Sequence, residues 1–481
     1  MIYLSLKNNC EIKIDTDDNN ILREIHEYFT FFEKDYYFTY NYQSGIWDGK
    51  ISLFSGARRT IPYGLIFKLY KFLRRNGYKN EISLDKNITE LFQFDTKNIE
   101  FNYDLKHYPY YYQKNIIEDA ISKTKGIYVC ATASGKSLII AYIFKILYEN
   151  KITKKHIIIV PNTSLIEQFY NDLIDYGLDE NLLGVANKNI RQFDKTFVIS
   201  TWQILQNRKN VLKDFDAVAI DECHGNKAKQ ISKITKACNN MTFRFGFTGT
   251  MPNTEIDKFR IMSFLGPIWK EYKPKDLIAY GYLSPCNIKH IKLKYKNAFK
   301  GTYTEIKYNV FRNEYRLNII KSIAQNSKKT LILVEKVKDE GEFLEEYLKN
   351  NLTGKKVIFL SGKDSPKVRE KWRKKMEIDD DILMIATFGI FSTGINVKSL
   401  KNVIISSSSE SKIRTLQSIG RSLRKNANKE DGAYIWDLHD QVKNLKKHGN
   451  TRERFYINEE FDIQDIIMNE KIDKNMNKLF D

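Results

Sequence analysis

Ile127-Tyr128-Val129-Cys130-Ala131-Thr132-Ala133-Ser134-Gly135-Lys136-Ser137-Leu138 is the stretch from which the fold can be read. Ile127 to Cys130 is a short apolar run, as expected of a buried strand. The small residues after it break that pattern, and an amphipathic helix opens at Leu138. A strand, a small-residue loop and a helix in this order form a phosphate cradle. Thr132, Ala133, Ser134 and Gly135 carry little side chain, so their backbone N–H groups can approach a phosphate, and the helix start adds positive partial charge. The Lys136 ammonium would reach the β- and γ-phosphates, and the Ser137 hydroxyl would ligate Mg²⁺. The pattern G-x-x-x-x-G-K-[ST] is met except at its first position, where Cys130 stands for glycine.

Outward from this loop, short apolar runs alternate with amphipathic helices from about residue 105, which predicts a parallel α/β sheet. The expected strands are Ile127–Cys130, Ile157–Val160, Phe197–Ser200, Ala217–Ile220 and Phe245–Thr248. After Gly281-Tyr282-Leu283-Ser284-Pro285 the alternation resumes with Thr330–Val334, Lys356–Leu360, Ile382–Ala386, Val403–Ser406 and Ala433–Trp436. Two such units in succession predict two similar lobes with a cleft between them. Residues 1–100 form a separate segment with strand-like alternation (Ile2, Leu4, Leu6) and an aromatic run from Tyr28 to Tyr42. Asp48-Gly49 there predicts a hairpin turn between Ile46 and Ile51–Leu53, and Trp47 is expected in the core. Residues 446–481 are dense in charge and asparagine and read as a peripheral helical tail.

Two further clusters complete the chemistry. The run Ala217 to Ile220 delivers Asp221-Glu222-Cys223-His224 at a strand's C-terminal end, where ligands bind in such sheets. Asp221 suits the Mg²⁺ shell. Glu222 can orient and deprotonate an attacking water, and His224 can report the nucleotide's state. In the second lobe, Gln417, Arg421 and Arg424 fall on one helical face. Two guanidiniums side by side suit a triphosphate, in the manner of an arginine finger.

These three clusters, in this order, resemble those of the superfamily 2 helicases. Further passages extend the likeness over roughly residues 105–440. Tyr112-Gln113 resembles the adenine-recognising motif, with Tyr110 where many relatives carry arginine. Val160-Pro161-Asn162-Thr163-Ser164 resembles motif Ia, and Thr201-Trp202-Gln203 the strand-end motif after it. Thr248-Gly249-Thr250 resembles motif III, which couples nucleotide state to nucleic-acid grip. Ser361-Gly362, Thr387 and Ser392-Thr393-Gly394-Ile395-Asn396 resemble motifs IVa and V. Within the superfamily the chain resembles the UvsW-type phage recombination and repair helicases, through Gly45-Ile46-Trp47-Asp48-Gly49-Lys50, Ile61-Pro62-Tyr63-Gly64-Leu65, Ser134-Gly135-Lys136-Ser137 and Phe388-Gly389-Ile390-Phe391-Ser392-Thr393-Gly394-Ile395.

The resemblance implies an α/β fold of two RecA-like lobes, at 101–283 and 284–445, with a small N-terminal α+β DNA-binding domain at 1–100. It also implies an ATP- and Mg²⁺-dependent helicase that remodels branched DNA: junctions, forks and R-loops. Tyr112, Gln113, Gly394 and Gln417 would join the loop in binding ATP. His224, Thr248 and Thr250 would couple its state to DNA, and Thr163, Thr201, Trp202, Ser361 and Thr387 would hold the DNA backbone. Single-stranded and branched DNA are the expected partners, with RNA–DNA hybrid beside them. A monomer is expected, working with recombination or single-strand-binding proteins in the cytoplasm of a phage-infected bacterium. The other functions open to these motifs are a duplex translocase of a restriction complex, an RNA helicase and a nucleotide-gated DNA-binding module.

Composition agrees with that class. Of 481 residues, 42% are hydrophobic and 28% charged, as in a folded globular protein. The longest apolar stretch, Leu138 to Leu147, is broken by Lys145, so no membrane span is expected, and no secretory signal is evident. The five cysteines lack CxxC spacing, against a zinc or disulfide framework. Lys and Arg number 78 against 59 Asp and Glu, a net +19, a surplus typical of polyanion binders. No acid occurs from Ile51 to Asn80, where Arg58, Arg59, Lys68, Lys71 and Arg75 are the candidate phosphate contacts. Helical spacing from Tyr63 to Arg75 turns Leu65, Leu69 and Phe72 inward.

Overall fold

The computed structural model describes all residues except 34, 226–235, 239–240, 253, 394–396, 398, 408–431, 474–475 and 481. The chain divides into two compact units: residues 1–130 with 135–271, and residues 131–134 with 272–481.

Unit 1 holds a seven-stranded sheet in the order Ile268–Tyr272, Lys125–Cys130, Phe243–Thr248, Ala217–Asp221, His156–Val160, Phe197–Thr201, Leu183–Ala186. The six strands from Lys125–Cys130 to Leu183–Ala186 run parallel. Strands covered on both faces need continuous apolar sequence. Lys125–Cys130, His156–Val160 and Phe243–Thr248 are accordingly buried at every position. The helices between them have clear ends. Helix Thr163–Tyr176 starts where the Asn162 side chain accepts from Leu165 N–H and stops at Gly177, whose φ of +94° only glycine adopts without strain.

The N-terminal segment belongs to the same unit. Thr60–Pro62, Glu11–Asp15, Ile2–Asn8 and Ile82–Leu84 form a four-stranded sheet in that order. Its buried residues, among them Ile2, Ile12, Ile25, Tyr63 and Leu69, are continuous with Ile127, Val218, Phe259 and Leu265 of the large sheet and its helices. The expected small N-terminal α+β region is present, and it shares its core with the first lobe. Two local expectations also change. Lys50–Ser52 pairs with Thr30–Phe32, not with Ile46. Ile46 is exposed, and Trp47 is only half-buried, donating from Nε1 to Lys50 O at 2.7 Å.

Unit 2 carries a second seven-stranded sheet, parallel throughout, in the order Lys356–Leu360, Ile382–Thr387, Thr330–Val334, Asn402–Ile405, Ala433–Asp440, Cys286–Lys294, Asp462–Asn469. The expected C-terminal tail is part of this sheet. Helix Lys443–Asn458 buries Leu445, Arg452 and Tyr456, and strand Asp462–Asn469 then pairs with Cys286–Lys294. Among the described residues no helix is long and apolar enough to cross a membrane.

Candidate active site

The loop after Lys125–Cys130 is a bent backbone ending in a helix. Ala133 sits at φ +71° and Gly135 at φ +76°, and the helix Lys136–Glu149 follows at once. A non-glycine residue at positive φ is costly, and such strain persists at sites where the backbone has a task. A β-carbon on Gly135 would lie 2.5 Å from Gln113 Nε2, so the expected adenine-motif glutamine packs against the loop. Gln113 is buried and accepts from Tyr110 N–H at 2.8 Å. The adjacent Tyr112 is buried as well, with its ring stacked on Tyr110.

Lys136 and Glu222 meet at this loop. Lys136 Nζ lies 3.3 Å from Glu222 Oε1 and donates to Cys130 O at 3.4 Å. The unexpected Cys130 thus contributes its carbonyl, which any residue there would supply. Glu222 sits at φ +48°, a second strained position. Its other oxygen accepts from Gly249 N–H at 3.4 Å and is 3.2 Å from His224 Nδ1. His224 Nδ1 is hydrogen-bonded to Thr248 Oγ1, which donates to Thr250 O at 2.7 Å. The network runs unbroken from Lys136 through Glu222 and His224 to Thr248 and Thr250. All three residues expected to couple nucleotide state are in it.

The electrostatics follow from burial. Burial opposes the Glu222 charge, but Lys136 and His224 outweigh it and hold the carboxyl well below the usual range. Burial and the neighbouring Glu222 charge push Asp221 up, to about 7. Lys136 would be lowered by burial, yet the carboxylates of Glu222 and Asp221 raise it. Asp221 Oδ1 is buried with no hydrogen-bond partner among the described residues. A buried carboxylate oxygen needs a partner, and a hard divalent cation is one that fits. The Ser137 hydroxyl is engaged by Tyr176 OH at 2.7 Å. Sequence reasoning missed Tyr176, because nothing local marks the end of a helix as a neighbour of the loop.

The expected nucleic-acid contacts separate into two groups. Thr163 is exposed at the start of its helix, Trp202 is partly exposed as the first residue of helix Trp202–Leu205, and Thr387 is partly exposed at a strand end. Thr201 is buried. Ser361 is buried too, its N–H and Oγ both donating to Asp364 Oδ2, at 2.6 and 3.2 Å. Neither hydroxyl is presented to solvent. In the basic segment, Arg58 lies 3.8 Å from Glu11, Arg59 donates to Thr16 O, and Lys68 lies over the Phe259 ring. These three brace the fold. Lys71 and Arg75 are exposed, together with Arg74. Leu65 and Leu69 are buried as expected, whereas Leu73 takes the inward place given to Phe72, which is partly buried. Gly394, Gln417, Arg421 and Arg424 lie outside the described residues.

Three family models match in chain order: DNA helicase UvsW, N-terminal, at residues 1–85; type III restriction enzyme, res subunit, at 106–253; and helicase conserved C-terminal domain at 314–426. The ATP-dependent DNA helicase uvsW of Enterobacteria phage T4 is 29% identical over 468 residues, 92% of this chain and 91% of the relative. The crystal structure of T4 UvsW matches with a TM-score of 0.51 and 27% identity, covering 97% of this chain and 99% of that one. Dbp5 of S. cerevisiae, bound to RNA and ADP BeF3, matches in fold at a TM-score of 0.54 and 14% identity, covering 78% of this chain and 95% of that one.

Proposed function

We propose, for a chain that belongs to the UvsW-type superfamily 2 helicases, that it hydrolyses ATP to unwind and remodel branched DNA in an infected bacterial host. The observation that carries this reading is the network Lys136–Glu222–His224–Thr248, which ties a phosphate loop to the segment after a neighbouring strand. Before nucleotide binds, Lys136 and Glu222 neutralise each other. A γ-phosphate draws the Lys136 ammonium to itself, and this frees the Glu222 carboxylate to orient water and take its proton. The loss of one Glu222 partner alters the hold on His224, and so on Thr248 and Thr250, which passes the nucleotide's state to the loop beyond. Asp221 and Ser137 would hold Mg²⁺, which when bound neutralises phosphate charge. The roles expected of Arg421, Arg424, Gln417 and Gly394 in ATP binding and hydrolysis are part of this proposal.

For DNA, the exposed Thr163, Lys71 and Arg75 and the partly exposed Trp202 and Thr387 are the contacts of choice, directed at phosphates and therefore indifferent to sequence. Replacing Lys136 with Ala tests the reading. ATP hydrolysis should fall about a hundred- to a thousandfold, as when one preorganised donor is removed from a charged transition state, and strand displacement on forked DNA should be lost. Normal turnover in Lys136→Ala would remove the phosphate-loop assignment, and displacement of RNA but not DNA would favour an RNA helicase.

A further inference from the structure

An aromatic cluster near the start of the chain lies uncovered. Phe32, Tyr37, Phe38 and Tyr40 are 53%, 50%, 72% and 76% exposed. Large apolar side chains grouped on a surface mark a binding site more often than singly scattered ones do. Phe32, Tyr37 and Phe38 are also held by ring contacts, and Tyr40 opens the short helix Tyr40–Gln43. Phe32 stacks on Tyr36 at 4.9 Å, Tyr36 meets Tyr37 and Tyr42 edge-on, and Tyr37 and Phe38 lie 4.4 Å apart. Gly49, at φ +80°, lets the Tyr36 ring pack on bare backbone, since a β-carbon there would come within 2.4 Å of it. The base of the segment is fixed to the first lobe: both Glu33 carboxylate oxygens accept from Arg260, at 3.0 and 2.7 Å, and Phe31 packs edge-on against Phe259.

Chemistry narrows the occupant. The Lys50 amine lies over Phe32 at 5.3 Å. The Lys68 amine is 5.4 Å from the same Phe259 ring that Phe31 touches, so the acid-free stretch 51–80 adjoins the aromatic segment. Exposed aromatic rings next to a lysine and an acid-free basic stretch suit a flat, polyanionic ligand, and unpaired nucleobases on a phosphate backbone are that ligand. Every base has a π-face, so such a platform needs no sequence preference. Building on the proposed DNA-remodelling function, we propose that Tyr37, Phe38 and Tyr40 form a stacking platform for unpaired bases of single-stranded DNA, carried on the first lobe.

The test uses the full chain, a forked DNA with 2-aminopurine in its unpaired arm, and a blunt duplex of the same sequence. Wild-type binding should change the fluorescence of the unpaired 2-aminopurine. The triple variant Tyr37→Ala/Phe38→Ala/Tyr40→Ala should bind the fork about tenfold or more weakly. It should lose the fluorescence response and bind the blunt duplex as wild type does. Tyr37→Phe/Phe38→Tyr/Tyr40→Phe, which keeps the rings, should restore both. Unchanged fork affinity and fluorescence in the alanine variant would overturn the platform, as would an equal loss on the blunt duplex. Wild-type strand displacement separates the two readings. If it is present while the alanine variant behaves as wild type, only the platform fails; if it is absent, the helicase assignment itself fails.

Discussion

Glu222 is held by three groups with different fates when nucleotide arrives: Lys136 at 3.3 Å, His224 at 3.2 Å and the Gly249 N–H at 3.4 Å. On the proposed mechanism only the first would be drawn off by phosphate. Glu222→Gln keeps the size and the acceptor oxygen but cannot take a proton, so ATP should still bind while turnover falls about a hundred- to ten-thousandfold. Nucleotide binding and single-turnover hydrolysis measured side by side check this. Thr248→Val separates coupling from chemistry. It removes the hydroxyl that joins His224 to Thr250 O and leaves Lys136 and Glu222 in place, so ATPase should stay within a few-fold of wild type while strand displacement per ATP falls about tenfold. Equal loss of both activities would show that Thr248 serves the hydrolytic step itself. At this scale the sequence was most legible, because phosphate chemistry needs a lysine, a carboxylate pair and small residues in fixed order. Tyr176 and Asp364, which engage Ser137 and Ser361, were illegible because they lie outside those patterns.

The strands were readable where burial on both faces forces continuous apolar sequence, as in Thr330–Val334 and Lys356–Leu360. They were missed where charge interrupts the run. Cys286–Lys294 contains Lys289, His290, Lys292 and Lys294, yet Ile288, Ile291 and Leu293 are buried, and His290 with them. Lys292 is satisfied by Glu453 and Asp465 at 3.1 and 2.8 Å, partners found only once helix Lys443–Asn458 and strand Asp462–Asn469 have folded beside it. Strand His156–Val160 has a consequence of its own. His156 is fully buried between Phe144 and Phe197, with Nε2 hydrogen-bonded to Thr153 Oγ1 at 2.6 Å. Burial lowers its pKa from 6.5 to about 4. Between those values the unfolded chain binds a proton that the folded strand refuses, so stability is fully present above pH 6.5 and declines as pH falls towards 4. The loss at the lower end is about 3 kcal/mol. Urea unfolding at several pH values should show this acid limb, and His156→Phe, which keeps an aromatic ring between its neighbours, should flatten it. An unchanged slope would mean that other carboxylates and histidines set the acid response.

At the scale of the whole chain, domain boundaries were the least legible feature, because a core shared between distant segments leaves no mark in composition. Residues 1–100 look separable by texture, yet Tyr63 OH donates to Phe264 O, 201 positions on. Gly64 approaches Met262 so closely that a β-carbon would lie 1.7 Å from its carbonyl oxygen. Arg244, fully buried, donates to Cys10 Sγ at 3.4 Å and to Cys238 O at 2.9 Å, and its guanidinium lies 5.3 Å from the Tyr63 ring. A buried guanidinium stripped of such partners is costly, and the apolar faces of Phe259, Met262 and Leu265 would be opened to water with it. The N-terminal segment therefore belongs to the first lobe, and on the proposed reading DNA held on Lys71, Arg75 or the aromatic platform would be carried by the lobe that holds the phosphate loop. Deleting residues 1–100 should consequently fail as a test of DNA anchoring. The truncated chain should aggregate or unfold well below the temperature of the full chain, with ATPase lost alongside DNA binding, because fully exposing even a few such side chains costs about 1.5–3 kcal/mol each. Lys71→Ala/Arg75→Ala, confined to the surface, should instead leave thermal unfolding unchanged and weaken fork binding most at low salt. A truncated chain that stays folded and hydrolyses ATP at the full rate would show that the first lobe closes its own core, and the boundary at residue 100 would then stand.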